Sequence, residues 1–283
     1  MKKMLYKRLL IRKPKLVALE IVMIVFTIIY FLPFYIILTI SMKTPQEALK
    51  STFSLPESFH IGNLVKAWHI INFEFVLINT ILISFFTVIG IILLAAMASF
   101  TIAKQVNSWN GFLYYFFLSG LMIPIYTILV PLLQLTKNLQ MMDSQVGLII
   151  VYIGHGMPFA IFLLVGFIRG VPKEIMEAGT IDGCNIYQLF GRIVLPMLQP
   201  VIVTLFILDI IWIWNDFLLP MLMLQSKSNF TITLSQYALY GEFETRWEIA
   251  FSGFLLAIAP LAIIYLSLQK YVIKGISAGA LKG

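Results

Sequence analysis

Charged side chains are scarce in this chain of 283 residues. They make up 12% of it, whereas soluble domains carry about 25%. Hydrophobic residues make up 60%, and the mean hydropathy is +0.94. A water-soluble globular protein is therefore excluded, and an integral membrane protein is expected.

Groups for covalent or metal chemistry are equally few. Cys184 is the one cysteine, so no disulfide can form within the chain and a thiolate metal site is unfavourable. The three histidines, His60, His69 and His155, do not have the spacing of metal ligands. The sequence contains no glycine-rich phosphate loop, so the chain is not expected to bind ATP itself. These absences argue against an enzyme.

Long apolar runs are what the sequence has in abundance. A helix needs about 20 mainly apolar residues to cross a bilayer, and six stretches meet that requirement. They lie near residues 16–42, 76–103, 111–136, 146–168, 195–222 and 249–270. Pro33 can tilt or kink the helix of the first stretch. The prolines of the third and fourth stretches free backbone carbonyls that neighbours or water must satisfy, which fits helices that line a pathway and equally fits plain packing. The sequence predicts an all-α, polytopic membrane protein with about six transmembrane helices in a single domain over residues 1–283.

Basic residues are distributed unevenly over the connections. Seven of the twenty lysines and arginines lie within residues 1–15, ahead of the first apolar stretch. With that end in the cytoplasm, fourteen basic residues lie inside and six outside, which is the usual bias of membrane proteins. The net charge of +7 is therefore assigned to topology and not to nucleic acid. Both termini and residues 169–194 are predicted to be cytoplasmic, and no cleaved signal peptide is expected.

A polar interval separates the fourth and fifth apolar stretches, and we call residues 169–194 the elbow. A short helix over 172–182 is predicted, with a proline at its first position and Gly183 as the left-handed cap that ends it. Asn185 and Gln188 have the spacing of a capping box that begins a second short helix. The two helices are predicted to form a compact docking surface.

One face of the first elbow helix carries small and apolar residues. Ile175, Ala178 and Gly179 fall at positions i, i+3 and i+4, so they share that face. A partner backbone could approach it closely, with Glu177 beside it and free to bond outward.

The elbow also carries a spaced motif. Its members are an acidic residue, small residues, a glycine and an apolar run that ends in proline: Glu177, Ala178, Gly179, Asp182, Gly183, Ile193, Leu195 and Pro196. The spacing resembles the cytoplasmic coupling loop of permease subunits in binding-protein-dependent ABC importers, with Gly179 in place of a second alanine. The flanking residues and the tail over 274–283 resemble the smaller permease subunit of maltose-type carbohydrate importers.

The resemblance implies a type I ABC importer permease fold in a bacterial plasma (inner) membrane. It implies a second homologous permease subunit, two ATPase subunits that bind ATP and magnesium, and an external or periplasmic solute-binding protein that delivers a sugar. Glu177 would anchor the elbow in an ATPase cleft, Gly183 would permit its turn, and the tail would lie at the ATPase interface. This chain itself would bind no cofactor, and its other contacts would be with membrane lipid.

Ionisable residues in the fifth apolar stretch mark a candidate translocation path. Asp209 and Asp216 are seven residues apart, two helical turns, and so nearly share a face. Asn215 and Asp216 belong to a Trp-Asn-Asp run that resembles a permease feature near the outer end of this helix. Charge within a membrane is costly, so such residues commonly line a path or bond to another helix. Both roles stay open for Asp209.

Two external segments, residues 43–75 and 223–248, are long enough to have structure. The first resembles the first external loop of these permeases. The second carries aromatic and amide residues that could contact a sugar or a docked protein, although aromatic residues also anchor membrane proteins at the interface.

Two alternatives stay open at this point. The same machinery could carry a solute other than a sugar, because the coupling motif says little about cargo. A secondary transporter driven by an ion gradient is the other alternative, with Asp209 and Asp216 as the ion site.

Overall fold

The computed structural model describes residues 14–104, 107–240 and 246–280. Most of the basic N-terminal cluster, residues 241–245 of the second external segment and the last three residues of the tail motif lie outside the described residues. Every regular element within the described ranges is helical, which confirms the predicted all-α class.

The α-helices differ widely in length, from 3 to 34 residues. In chain order they are α1 (Pro14–Ser41), α2 (Pro45–Lys50), α3 (Gly62–Ile71), α4 (Phe73–Lys104), α5 (Ser108–Gly120), α6 (Ile125–Asn138), α7 (Gln145–Arg169), α8 (Lys173–Ile181), α9 (Ile186–Gln188), α10 (Leu195–Met197), α11 (Gln199–Asn215), α12 (Leu218–Met223), α13 (Ile232–Ser235) and α14 (Trp247–Ala280). A π-helix, Leu189–Val194, joins α9 to α10, and 3₁₀ turns at Lys227–Asn229 and Gln236–Leu239 flank α13.

Four of these helices are each long and apolar enough to cross a membrane. They are α1, α4, α7 and the first part of α14, with windows whose mean hydropathy lies between 2.2 and 2.7. Two bent helix pairs raise the number of candidate spans in the described residues to six if each pair counts as one. The protein is a multi-pass membrane protein.

The third predicted stretch, 111–136, is not one straight helix. It is broken into α5 and α6, whose axes meet at 101°. Pro124 precedes α6 in extended backbone, and a proline disfavours helical backbone in the residue before it. Helices of 13 and 14 residues rise about 20 Å each at 1.5 Å per residue, which is less than the bilayer core.

The fifth predicted stretch, 195–222, is also interrupted. The axes of 186–197 and α11 differ by 70°, and Pro200 lies in the first turn of α11. At the other end, α11 stops at Asn215, and Asp216 adopts extended backbone with φ −71° and ψ 128°. The sixth predicted stretch, 249–270, is shorter than the observed helix, because α14 continues to Ala280.

The described chain falls into two compact units. The first comprises the residues up to Trp68 with Leu239–Leu256, and the second comprises His69–Ala238 with the residues from Ala257 onward. The single domain over 1–283 stays a prediction.

The first unit is organised around the end of α1. The carbonyl oxygen of Ser41 accepts hydrogen bonds from Asn63 Nδ2 at 3.0 Å and from Ser252 Oγ at 3.3 Å. Lys43 is fully buried and its Nζ donates to the carbonyl oxygen of Ser51 at 2.7 Å. These bonds satisfy backbone carbonyls that the end of a helix leaves without partners.

The second unit has its core where α4 packs against α7, with α11 beside them. Two clusters of buried apolar residues fill it, and one of them includes Leu189, Val194 and Leu198 from the second half of the elbow and the turn after it. The elbow is therefore tied directly to the packing of the long helices.

Candidate functional site

The first half of the elbow is the helix α8. Pro172 is its N-cap in extended backbone, so the predicted start is one residue too early. Gly183 has φ +84°, and its N–H donates to Thr180 O at 3.1 Å while the N–H of Cys184 donates to Gly179 O at 3.0 Å. This is the Schellman arrangement, which confirms the predicted left-handed glycine cap.

The second half of the elbow begins with the predicted capping box. Asn185 Oδ1 accepts from the N–H of Gln188 at 2.9 Å, and Gln188 Oε1 accepts from the N–H of Asn185 at 3.0 Å. The continuation over Leu189–Val194 is a π-helix, which the sequence reasoning missed. Nothing in the spacing of these apolar residues distinguishes a π turn from an α turn.

The predicted partner face of α8 is divided in the structure. Ile175 and Ala178 are exposed, whereas Gly179 is buried. A Cβ atom at Gly179 would lie 2.5 Å from Cδ1 of Ile193 and 3.0 Å from Cδ1 of Leu189. Gly179 therefore allows the two halves of the elbow to pack together and is not a contact surface for a partner. That placement corrects the expectation for this residue.

Glu177 is exposed on the opposite side of α8. Among the described residues it has no hydrogen bond or ion pair. It lines a cleft of about 640 Å³ together with Lys104 and Lys173 and with Arg169, whose guanidinium lies 4.8 Å from the ring centre of Tyr114. An acidic group and three cations thus face one solvent-filled space.

The outer surface of the elbow is unusually apolar. Ile181 is 85% exposed and Tyr187 is 81% exposed, and Ile186 is half exposed between them. Exposed apolar clusters with a polar surround are typical of contact surfaces.

The remaining motif residues divide between surface and core. Asp182 and Pro196 are exposed, while Ile193 and Leu195 pack against the buried cluster of the long helices.

The three candidate path residues do not lie together as expected. Asp209 lies within α11, is 6% exposed, and its Oδ2 has no hydrogen-bond partner among the described residues. Asn215 is exposed at the end of the helix, and Asp216 is half-buried beyond it. Because α11 ends before Asp216, the two-turn spacing does not place Asp209 and Asp216 on one helical face.

Asp216 belongs to a cluster that sequence reasoning missed. Its Oδ2 accepts a hydrogen bond from the hydroxyl of Tyr152 at 2.7 Å, and its Oδ1 accepts one from the N–H of Leu218 at 3.1 Å. The ring of Trp212 lies 5.2 Å from that of Tyr152 and 5.1 Å from that of His155. The signal in the sequence was a tyrosine and a histidine three residues apart within an apolar helix.

A cluster of hydrogen bonds joins the turn before α7 to the second external segment. Asp143 Oδ1 accepts from the N–H groups of Gln225 and Ser226, both at 2.9 Å, and Ser226 Oγ donates to Oδ2. Asn229 Nδ2 donates to the carbonyl oxygen of Asp143 at 2.7 Å. The bonds from Ser226, Gln225 and Asn229 hold the pKa of Asp143 well below its ordinary value.

Residues 89–278 match the model of one protein family, the binding-protein-dependent transport system inner membrane component. The match covers the elbow and α11. The chain belongs to this family. This permease is therefore a membrane component of a transport system.

Similar permeases are found among well-described proteins. A probable starch degradation products transport system permease of Thermoanaerobacterium thermosulfurigenes is 32% identical over 92% of this chain and 94% of its own length. A melibiose/raffinose/stachyose import permease of Bacillus subtilis is 33% identical over 90% and 92%. An arabinooligosaccharide permease of the same organism is 27% identical over 94% and 96%.

Solved structures support the fold. A bacterial ABC transporter involved in the import of the acidic polysaccharide alginate superposes with a TM-score of 0.81, covering 90% of this permease and 95% of that chain at 17% identity. The predicted type I ABC importer permease fold is confirmed.

Proposed function

We propose that this permease is a membrane-spanning subunit of an ATP-driven importer for a sugar or oligosaccharide. The observation that carries the proposal is the elbow, a capped and exposed unit packed onto the long helices. Family membership and the sugars named for the similar permeases support it. An ion-gradient-driven transporter is not favoured, since the family is that of binding-protein-dependent systems.

The working assembly contains a second permease subunit, two ATPase subunits and a solute-binding protein. ATP and magnesium bind to the ATPase subunits, and this permease contributes the path and the elbow. The bacterial inner membrane holds it with both termini in the cytoplasm. The solute-binding protein docks outside, where residues 223–248 are a candidate contact.

The elbow transmits the movement of an ATPase subunit to the helices. Glu177 has no partner among the described residues and is free to form a charged hydrogen bond with an ATPase. Ile181 and Tyr187 supply apolar area next to it. Leu189, Val194 and Leu198 carry the movement inward, because they are part of the packed core.

The test is uptake by the importer purified with its companion subunits and placed in lipid vesicles. Maltotriose, raffinose and arabinotriose form the sugar panel. One of them is expected to enter only when ATP and the binding protein are present. Uptake that persists without ATP and collapses with an uncoupler would contradict the proposal.

Glu177→Lys tests the elbow itself. Removing one partner of a buried charge pair costs about 3–5 kcal/mol, so uptake is expected to fall more than about 100-fold, with normal insertion. Glu174→Lys, an exposed position on the same helix, is the matched control for the change of charge. Equal losses in both variants would mean that Glu177 has no special role.

A further inference from the structure

The helix break at Asp216 lies within an apolar stretch. Irregular backbone at membrane depth is tolerated only where protein buries it or where it lines a water-filled cavity. Asn215 is exposed and Asp216 is half-buried, so protein of the second unit does not cover this break completely. The uncovered backbone and the Asp216 carboxyl therefore need polar partners from outside this part of the chain.

His155 provides a second and independent observation. It follows the first residue of α7 by ten positions, which places it about 15 Å along the helix, near the middle of the bilayer core. Its side chain is exposed, and neither ring nitrogen has a hydrogen-bond partner in the described part of the chain. His155 lines a cavity of about 400 Å³ between α7 and the α5–α6 pair, whose other lining residues are mostly apolar. An imidazole without a protein partner there needs water or a polar solute to satisfy its ring nitrogens.

Trp212 connects the two observations. Its half-buried indole packs edge-to-face against Tyr152 and is tilted against His155. Tyr152 is fully buried and donates its hydroxyl to Asp216. The indole, the imidazole and the carboxylate are thereby held on one side of α7 and α11 by a buried support.

We propose that Trp212, His155 and Asp216 form a subsite for one ring of a neutral sugar in the translocation path. The subsite rests on the proposed function and names the residues that contact the cargo. The apolar C–H face of the sugar ring packs on the indole. Ring hydroxyls donate to the side-chain oxygens of Asp216, which have about four acceptor sites and use two of them within the described residues. Tyr152 acts as a positioning residue.

The charge of the subsite sets its selectivity. Asp216 forms no ion pair in the described part of the chain. An uncompensated carboxylate accepts hydrogen bonds from hydroxyl groups and repels a second carboxylate. The subsite therefore selects neutral sugars and rejects uronic acids.

Thiol labelling tests the subsite directly. In a Cys184→Ala background, His155→Cys provides the one thiol of this subunit. In the importer placed in nanodiscs, a charged methanethiosulfonate is expected to react at this position. The panel sugar that the wild-type importer takes up should slow the reaction at least fivefold, and trigalacturonate at the same concentration should not.

Leu93→Cys, an exposed apolar position on α4, is the control and should stay unlabelled. Absent labelling, or labelling that no sugar slows, overturns the subsite.

Transport by Trp212 variants separates cargo contact from packing. Trp212→Leu is expected to lower sugar uptake at least tenfold, while ATP hydrolysis stimulated by the binding protein changes less than twofold. Trp212→Phe should restore a substantial part of the uptake, because it keeps an aromatic face. Trp109→Leu, at an exposed tryptophan outside the subsite, should leave both activities unchanged.

The outcomes distinguish two kinds of failure. Equal loss of uptake and ATP hydrolysis in Trp212→Leu, or no loss of either, overturns the subsite alone. Wild-type vesicles that take up no panel sugar overturn the proposed function and the subsite with it.

Discussion

At the scale of single residues, Gly183 has the most constrained position in the elbow. Its φ of +84° costs about 1–2 kcal/mol for a residue with a side chain. Gly183→Val is therefore expected to loosen the turn and reduce transport severely while the protein still inserts. Faster hydrogen exchange of residues 173–188 would report the loosening.

Gly191→Ala is the matched control for that variant. A Cβ atom at Gly191 meets no heavy atom within 4 Å, and its φ is not positive. Normal transport is expected. A Gly183→Val variant that transports as well as Gly191→Ala would show that the turn does not need glycine.

Asp143 is the residue whose protonation matters most outside the membrane. Its folded-state pKa is lowered by the bonds from Ser226, Gln225 and Asn229, so it stabilises the fold at pH values above its ordinary pKa. That contribution is lost as the pH falls below about 4 and through the lowered pKa. The protection factors of the amides of residues 225–229, which correct for the pH dependence of intrinsic exchange, should then fall.

Asp143→Asn should remove this pH dependence and give fast exchange of the same amides at neutral pH. Asp182→Asn is the comparison, because that carboxylate is exposed and forms no hydrogen bond among the described residues. An unchanged exchange profile in Asp143→Asn would contradict the role of the charge.

Sequence reasoning succeeded for residues whose partners are close in the chain. Gly183 with Thr180, and Asn185 with Gln188, follow from local hydrogen-bonding rules. It failed for Gly179, whose neighbour Ile193 is fourteen residues away. It also did not identify Tyr152, on α7, as the hydrogen-bond partner of Asp216. Only the packing of helices brings such pairs together.

At the scale of elements, a proline in the sequence indicates that a helix can be interrupted, but it does not determine the angle between the two helices. One continuous span is predicted over 111–136, whereas α5 and α6 meet at 101°. An angle of that size depends on what the two helices pack against, since a proline by itself only removes one hydrogen bond and excludes some backbone angles. The length of an apolar run likewise does not show that α11 ends at Asn215.

The end of α1 offers a test at this scale. Asn63 is 6% exposed, and its Nδ2 donates to Ser41 O at 3.0 Å and to Lys43 O at 2.8 Å. Asn63→Ala leaves the carbonyl of Lys43 without this donor and is expected to cost about 1–3 kcal/mol of stability. Thermal unfolding in detergent measures the loss.

Glu57→Ala, in the same external segment, should change the unfolding temperature little, because Glu57 is exposed. Equal shifts for the two variants would mean that Asn63 does not hold the end of α1.

At the scale of the whole molecule, α1 shows that this chain does not function by itself in water. Its most apolar 18-residue window contains no buried residue. Lipid or another protein must cover that surface, because soluble proteins do not expose so large an apolar area.

Cys184 is a natural reporter of topology. It lies in the turn of the elbow and is half-buried. A membrane-impermeant maleimide added to intact cells is expected to leave it unmodified and to react after permeabilisation, since positive charge assigns the elbow to the cytoplasm. Ser228→Cys in a Cys184→Ala background should react in intact cells. Reaction of Cys184 from outside would reverse the topology.

The π-helix of the elbow makes its length adjustable. A single π turn corresponds to an α-helix with one additional residue. Deleting a residue inside an α-helix rotates everything beyond it by about 100°, which would separate Leu195 and Leu198 from the core. Deleting the exposed Gly191 instead leaves five residues that can close as an α turn and keep their neighbours in register. The elbow is therefore expected to keep Leu195 and Leu198 packed against the core after deletion of Gly191, although the deletion shortens the spacing between Gly183 and Ile193 by one residue.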